Sequence, residues 1–171
     1  HGIIFSGGDP LLQRQLISDT EYYVEALGLP GKFHHKITTN GTLLDQEFLE
    51  FSKQHQVFIA LSHDGTAQDI CRVHPDGSGT FQQLEPIARQ LLQYRPYAPV
   101  MMTVSPATVD QYANSVDYLY QLGFRYLICT IDYSGEWTEA AFRALERQYK
   151  RLAVWYQELT LREEKFYFSP F

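Results

Sequence analysis

The chain has 171 residues, of which 44% are hydrophobic. That suits one domain near the usual size of about 100–150 residues and falls short of the roughly 250 of a complete eightfold α/β barrel. Aromatic residues at 15% exclude a disordered chain, and a net charge of −6 argues against nucleic acid as the main partner. Two cysteines, Cys71 and Cys129, exclude a disulfide scaffold and any zinc or iron–sulfur site built from these thiolates alone. With no apolar run of about 18 residues and no signal-peptide pattern, the chain reads as soluble and cytoplasmic, with no membrane partner.

In chain order, short apolar runs alternate with helix-length amphipathic runs. Gly2-Ile3-Ile4-Phe5 reads as a strand and leads into Ser6-Gly7-Gly8-Asp9-Pro10, a tight turn whose glycines let backbone amides approach a ligand. A helix follows from about Leu12 to Leu27, stopped by Gly28-Leu29-Pro30-Gly31. The second strand, His35 to Thr39, ends at the Asn40-Gly41 turn signal, and Asp45 is placed to cap the next helix. The third strand, Val57 to Ser62, runs into Ser62-His63-Asp64-Gly65 and then a long polar loop, Asp69 to Phe81, that holds Arg72. Thr80-Phe81-Gln82-Gln83 has the pattern of a capping box, and Pro86 is expected to kink the helix or mark its true start. The fourth strand, Val100 to Val104, precedes a helix expected to begin at Ser105-Pro106 and end at Gly123. The fifth, Tyr126 to Ile131, runs into Asp132-Tyr133-Ser134-Gly135-Glu136-Trp137 and a long helix from Thr138 to about Leu161. The chain begins inside an apolar segment and ends on an aromatic run, so both ends are expected to be truncation points.

Strand–helix repeated five times means parallel strands joined by right-handed crossovers. An open doubly wound sheet and a partial barrel share this pattern, and in both the chemistry collects at the carboxyl ends of the strands. There the chain offers a glycine turn with a carboxylate at Gly7, Gly8 and Asp9, and a hydroxyl and carboxylate at Ser62 and Asp64. Arg72 adds a guanidinium suited to a carboxylate ligand, or to Asp69 or Asp76 in its own loop, and Asp132 lies at the fifth strand end. Ser62-His63-Asp64 is not a hydrolase triad, because residues in immediate succession do not form the nucleophile–base–orienter relay. The six histidines show no metal-binding spacing and are expected mostly at the surface.

In order and spacing these segments resemble radical S-adenosylmethionine enzymes. Phe5-Ser6-Gly7-Gly8-Asp9-Pro10-Leu11-Leu12 is similar to their GGEP motif, with Asp for Glu. Thr38 to Leu44 resembles their next strand end, and Ala60-Leu61-Ser62-His63-Asp64-Gly65 their SxDG segment. Asp69 to Phe81 and Tyr133 to Thr138 resemble the sulfatase-maturase and peptide-maturase branch with its SPASM-type extension. The resemblance implies a partial (β/α)6 TIM-like barrel of which about five strand–helix units are present. It implies that residues 1–171 are the central part, without the N-terminal CxxxCxxC cluster loop and the C-terminal extension. It further implies S-adenosylmethionine and a 4Fe–4S cluster as cofactors, the cluster ligands lying outside this chain. The activity implied is formation of a 5′-deoxyadenosyl radical that modifies a peptide or protein side chain, with a reductant such as flavodoxin or ferredoxin. By resemblance Gly7, Gly8 and Asp9 receive the cofactor's amino group, Ser62 and Arg72 its carboxylate, and Asp64 lies beside them. Asp132 would be a substrate-side group, and the isolated chain is expected to be inactive and prone to self-association. Two other readings stay open: an α/β enzyme holding a phosphate at Gly77-Ser78-Gly79-Thr80, and a non-catalytic module presenting Tyr22, Tyr23, Tyr94, Tyr97 and Tyr120 to a partner.

Overall fold

A computed structural model describes residues 2–28 and 33–171. The five expected strands form: β1 (Gly2–Phe5), β2 (His34–Thr39), β3 (Val57–Ser62), β4 (Val100–Val104) and β5 (Tyr126–Ile131). A sixth, β6 (Tyr167–Phe168), comes from the aromatic run at the end of the sequence. All pair in parallel, in the order β1-β2-β3-β4-β5-β6. A doubly wound sheet reverses direction at a switch point. This sheet never does, so each unit lies beside the next as in a barrel.

The period of two along each strand divides the sheet into two faces. Ile37, Val57, Ile59, Leu61, Val100, Met102, Val104 and Leu127 face the helices and form the core with Leu49, Leu91, Val116, Leu119 and Leu152. Ile4, Phe58, Tyr126 and Tyr167 alternate with them and remain exposed. Tyr126 and Tyr167 stack across β5 and β6 with ring centroids 4.4 Å apart.

The helices are α1 (Arg14–Ala26), α2 (Gln46–Gln54), the short α3 (Gln68–Cys71), α4 (Phe81–Tyr94), α5 (Tyr112–Leu122) and α6 (Glu139–Leu161). Asp45 caps α2 as expected, accepting from Phe48 N, and Thr138, expected as the first residue of the last helix, is instead the N-cap of α6, accepting from Ala141 N. The segment from Leu12 to Leu27 begins as a 3-10 turn, Pro10–Gln13, before α1; residues 29–31 of the expected stop lie outside the described residues.

Three local expectations are corrected. Thr80 does not cap α4 through its side chain: its hydroxyl donates to Arg72 O, and Asp69 Oδ1 takes the Phe81 amide instead. Pro86 lies inside α4, five residues past its start, so it does not mark the beginning. Ser105-Pro106 opens a turn closed by Thr108 N to Ser105 O, and regular helix begins only at Tyr112, after a 3-10 turn at Val109–Gln111.

The histidines also depart from expectation. His35 and His63 are buried, and the His55 side chain is covered. His35 Nδ1 meets the Glu21 carboxylate, tying β2 to α1, and His55 Nδ1 meets Glu25 Oε1 at 2.7 Å, tying α2 to α1. Burial raises the Glu21 pKa. His1 lies outside the described residues.

Candidate functional site

The carboxyl ends of β1, β2 and β3 surround a cleft of about 360 Å³. Gly7, Gly8 and Asp9 line it from β1, Thr38, Thr39 and Asn40 from β2, Ser62 from β3, and Arg72 from the segment after α3. Five of the expected site residues therefore share one cleft. Thr38, Thr39 and Asn40 were legible only as a strand end with a turn, and their place beside Asp9 comes from the parallel pairing of β1 with β2.

Gly7 and Gly8 have φ of +97° and +52°, in the left-handed region that strains any residue with a Cβ. A Cβ added at either would meet nothing within 4 Å. Packing does not demand glycine there; backbone conformation does, and the missing side chains leave the cleft open.

The Asp9 carboxylate turns back onto its own chain. Oδ1 accepts from Leu11 N at 2.9 Å and Oδ2 from Asn40 N at 2.8 Å, and the Thr39 hydroxyl donates to both oxygens at 3.0 and 2.8 Å.

Asp64 is buried behind the cleft rather than lining it, with its side chain 3% exposed. It accepts from Arg72 Nε at 2.6 Å and Nη2 at 3.3 Å, and from Thr103 N at 2.9 Å. Arg72 Nη1 and the Ser62 hydroxyl have no partner among the described residues. The Arg72 pairing with Asp69 or Asp76 that its loop position suggested is replaced by this one. The geometry follows from the 3-10 turn Gly65–Ala67 and α3, which return the chain past the end of β3. Gly65 allows the turn: its φ is +62°, and a Cβ there would lie 2.5 Å from Ser115 Cβ.

His63, between Ser62 and Asp64, points away into the core. Its Nδ1 accepts from Gly65 N at 3.0 Å, and its ring packs on Phe81 and Tyr118. Burial lowers its pKa to about 4, so it is neutral at pH 7.

Asp132 stands apart, outside the cleft formed by β1, β2 and β3. It is half-buried and accepts from Ser134 Oγ and Ser134 N, bonds that hold its pKa below the usual carboxylate value.

A second cleft of about 280 Å³ adjoins the first and shares Asn40 and Arg72 with it; Thr42, Gln68 and His74 add polar walls. An apolar cleft of about 250 Å³, between Phe58 and the segment Tyr94 to Pro99, lies at the other end of the sheet and holds none of the expected site residues.

Neither remaining reading gains support. The Gly77 and Ser78 amides are already bonded to His74 O and Asp76 Oδ1, and the α4 amino terminus is capped by Asp69, so no open phosphate cradle forms. Of the tyrosines offered as a binding surface, Tyr120 is buried, while Tyr22 and Tyr23 are exposed on α1 and Tyr97 on the segment between α4 and β4.

The cleft's donor set suits an α-amino acid. A free guanidinium N–H and a hydroxyl stand on one side, and on the other the Gly7 and Gly8 carbonyls have no partner among the described residues. The residues fit S-adenosylmethionine. They do not fit a 4Fe–4S cluster: Cys71 is exposed, Cys129 packs against the core, and no group of three metal-ligating side chains forms among the described residues. Among those residues, no helix is long and apolar enough to cross a membrane.

The comparisons with known proteins point the same way. Cysteine-type anaerobic sulfatase-maturating enzymes of Clostridium perfringens strain 13 and Clostridium novyi strain NT are 24% and 23% identical over 132 residues. These alignments cover 72% of this chain and 34% of each relative. Two solved structures, of native anSMEcpe with bound AdoMet and Kp18Cys peptide and of native anSMEcpe with bound AdoMet, superpose with a TM-score of 0.80 at 20% identity. They cover 96% of this chain and 49% and 48% of theirs, so the chain spans about a third of the curated relatives and about half of the solved ones. At that identity the superposition speaks for the fold, a parallel α/β sheet of the partial-barrel kind. The Radical SAM superfamily profile matches residues 1–148, and with it the strand-end turns and their cleft are accounted for together: the chain belongs to the radical SAM superfamily.

Proposed function

We propose that this chain is the cofactor-orienting part of an enzyme that cleaves S-adenosylmethionine and modifies a peptide or protein side chain. The observation that carries this is the cleft at the ends of β1, β2 and β3. It joins an open glycine turn to a hydroxyl and an Arg fork whose third nitrogen is free. Gly7, Gly8 and Asp9 form the loop that receives the ammonium end of the cofactor. Ser62 and Arg72 hold its carboxylate, and Asp64 keeps Arg72 in place. The two clefts meeting at Asn40 and Arg72 match a ligand with an amino-acid end and a nucleoside end.

When bound, S-adenosylmethionine and a cluster held from outside this chain would supply radical chemistry for hydrogen abstraction, the electron coming from an external one-electron donor. This chain's residues bind and orient the amino acid moiety and limit water at it; the cluster ligands come from outside the 171 residues. Residues 1–171 then form the central part of a partial barrel. Asp132, at the next strand end but one, is assigned to the substrate side. A peptide substrate agrees with the Kp18Cys peptide bound to anSMEcpe. The enzyme works in the cytoplasm with a one-electron donor of the flavodoxin or ferredoxin kind. The isolated chain is inactive, and exposed Ile4 on the unpaired edge strand β1 favours its self-association.

The test is ligand discrimination. S-adenosylmethionine is titrated into the chain against its decarboxylated analogue, which lacks the group assigned to Arg72. The chain should prefer the carboxylate form by about tenfold or more, in line with a charge-assisted pair, and Arg72→Ala should erase the preference. Equal binding of both ligands removes Arg72 and Ser62 from the site.

A further inference from the structure

The family pattern has Glu where this chain has Asp9, and the side chain in this position is expected to accept from the cofactor's ammonium group. The hydrogen bonds describe a different duty. We propose that Asp9 is a positioning residue, a latch that fastens the loop after β1 to the end of β2. It leaves the ammonium to other oxygens of the glycine loop. The proposal rests on the cofactor placement above.

An ionised carboxylate has about four acceptor sites. Three donors from within the chain occupy most of them: Leu11 N on Oδ1, Asn40 N on Oδ2, and the single Thr39 O–H shared between the two oxygens. The bonds to Thr39 and Asn40 span about 30 residues of sequence and join two adjacent strand ends. The bond to Leu11 N also caps the 3-10 turn Pro10–Gln13, whose N-cap is Asp9.

The latch continues beyond Asp9. Thr39 is buried, and its hydroxyl accepts from Gly41 N at 3.0 Å. Gly41 is held in turn, since its φ is +82° and a Cβ there would lie 2.7 Å from Leu61 Cδ1 and 2.9 Å from Leu84 Cδ2. Asp9 thereby fixes Asn40, which with Arg72 is common to both clefts, against the core. A Glu at this position carries one more methylene. It reaches further into the cleft and cannot keep the short loop-back to Leu11 N. The shorter side chain gives up reach toward the ligand for a rigid cleft wall. With Asp9 largely occupied, the Gly7 and Gly8 carbonyls are among the loop acceptors that have no partner among the described residues.

Amide hydrogen exchange on the unliganded chain tests the latch. Asp9→Asn should speed exchange at Leu11 and Asn40 by about tenfold or more while amides of α4 keep their protection. Thr39→Val leaves Asp9 in place and should loosen Asn40 and Gly41, which keeps the test open if Asp9→Asn folds poorly. Unchanged protection at Leu11 and Asn40 in both variants overturns the proposal. Titration of S-adenosylmethionine into Asp9→Glu gives the second reading. A latch predicts binding weakened about fivefold or more, whereas equal or tighter binding means the side chain faces the ammonium and overturns the latch. If the unmodified chain fails to bind S-adenosylmethionine, the cofactor placement fails, and the exchange data still decide what Asp9 does.

Discussion

Arg72 gives Nε and Nη2 to Asp64, at 2.6 and 3.3 Å, so the cation nearest the proposed ligand is aimed by a carboxylate that solvent scarcely reaches. Asp64 also takes Thr103 N from β4, so the pair ties the segment after α3 to two strands. Breaking such a pair from the buried side leaves a cation without its partner, which costs about 3–5 kcal/mol in a dry site. Arg72 is 29% exposed, so water recovers part of this. Asp64→Ala is expected to lower stability by about 2–3 kcal/mol, read by urea unfolding. It should also weaken S-adenosylmethionine binding, because Arg72 loses its orientation. An Asp64→Ala variant with full stability would mean the pair adds nothing to the fold.

Two glycines with similar backbone angles should respond differently to the same change. Gly7 has φ +97° and open space around it; Gly65 has φ +62° and Ser115 Cα 2.6 Å from where its Cβ would sit. Gly7→Ala carries only backbone strain, about 1–2 kcal/mol, and puts a methyl group into the cleft. Gly65→Ala must also push α5 away from the turn, so its cost should exceed about 3 kcal/mol. Thermal unfolding of both variants, with ligand titration of Gly7→Ala, should give a stable but weakly binding Gly7 variant and a strongly destabilised Gly65 variant.

Acid should act on this protein through His63. Burial holds its folded pKa at about 4, against the 6.5 of an exposed imidazole. The unfolded chain therefore takes up the proton first as pH falls. The stability tied to the neutral ring is complete above pH 6.5, drains between 6.5 and 4, and is gone below. At about 1.4 kcal/mol per pH unit the loss is about 3 kcal/mol. Asp64, Asp69 and Glu85 favour the charged ring and Arg72 opposes it, but desolvation outweighs them all. Urea unfolding at several pH values from about 7 to about 4 should show this slope, and His63→Leu should flatten it by about one proton. An unchanged slope in His63→Leu would assign the acid sensitivity elsewhere.

Strand positions were readable because each is a short β-branched or aromatic run bounded by turn residues, and β1 to β5 fall where those runs lie. The barrel-like order was not readable from alternation alone, since an open sheet alternates in the same way. Strand β6 escaped notice because Tyr167–Phe168 is only two residues long and gains its place by pairing with Tyr126 and Leu127. At the site, local chemistry picked out Gly7, Gly8, Ser62 and Arg72, whose residue types suit an amino acid ligand. It did not reveal which acids are used inside the protein. Asp64 is separated from Arg72 by a 3-10 turn and a one-turn helix, and Asp9 from Asn40 by a whole helix and strand. Both carboxylates find partners only once β1, β2 and β3 lie side by side. The same holds for His63: an imidazole in a polar-looking stretch of sequence is buried because β3 has just turned inward.

The last prediction concerns the two thiols. Cys71 is exposed on α3, whereas Cys129 packs against the core, where burial pushes its thiol up to about 12. A thiolate is the form that attacks a disulfide reagent or binds iron, so the two should separate cleanly. In the native chain an aromatic disulfide reagent should release about one equivalent quickly, with a second appearing only on unfolding. Anaerobic treatment with iron and sulfide should give no stoichiometric 4Fe–4S spectrum, because such a cluster is held by about three or four thiolates. These cysteines, on α3 and β5, are two in number and fall short of that set. A stoichiometric cluster on the folded chain would require ligands other than these thiols and would overturn the proposal that the cluster is held from outside the 171 residues.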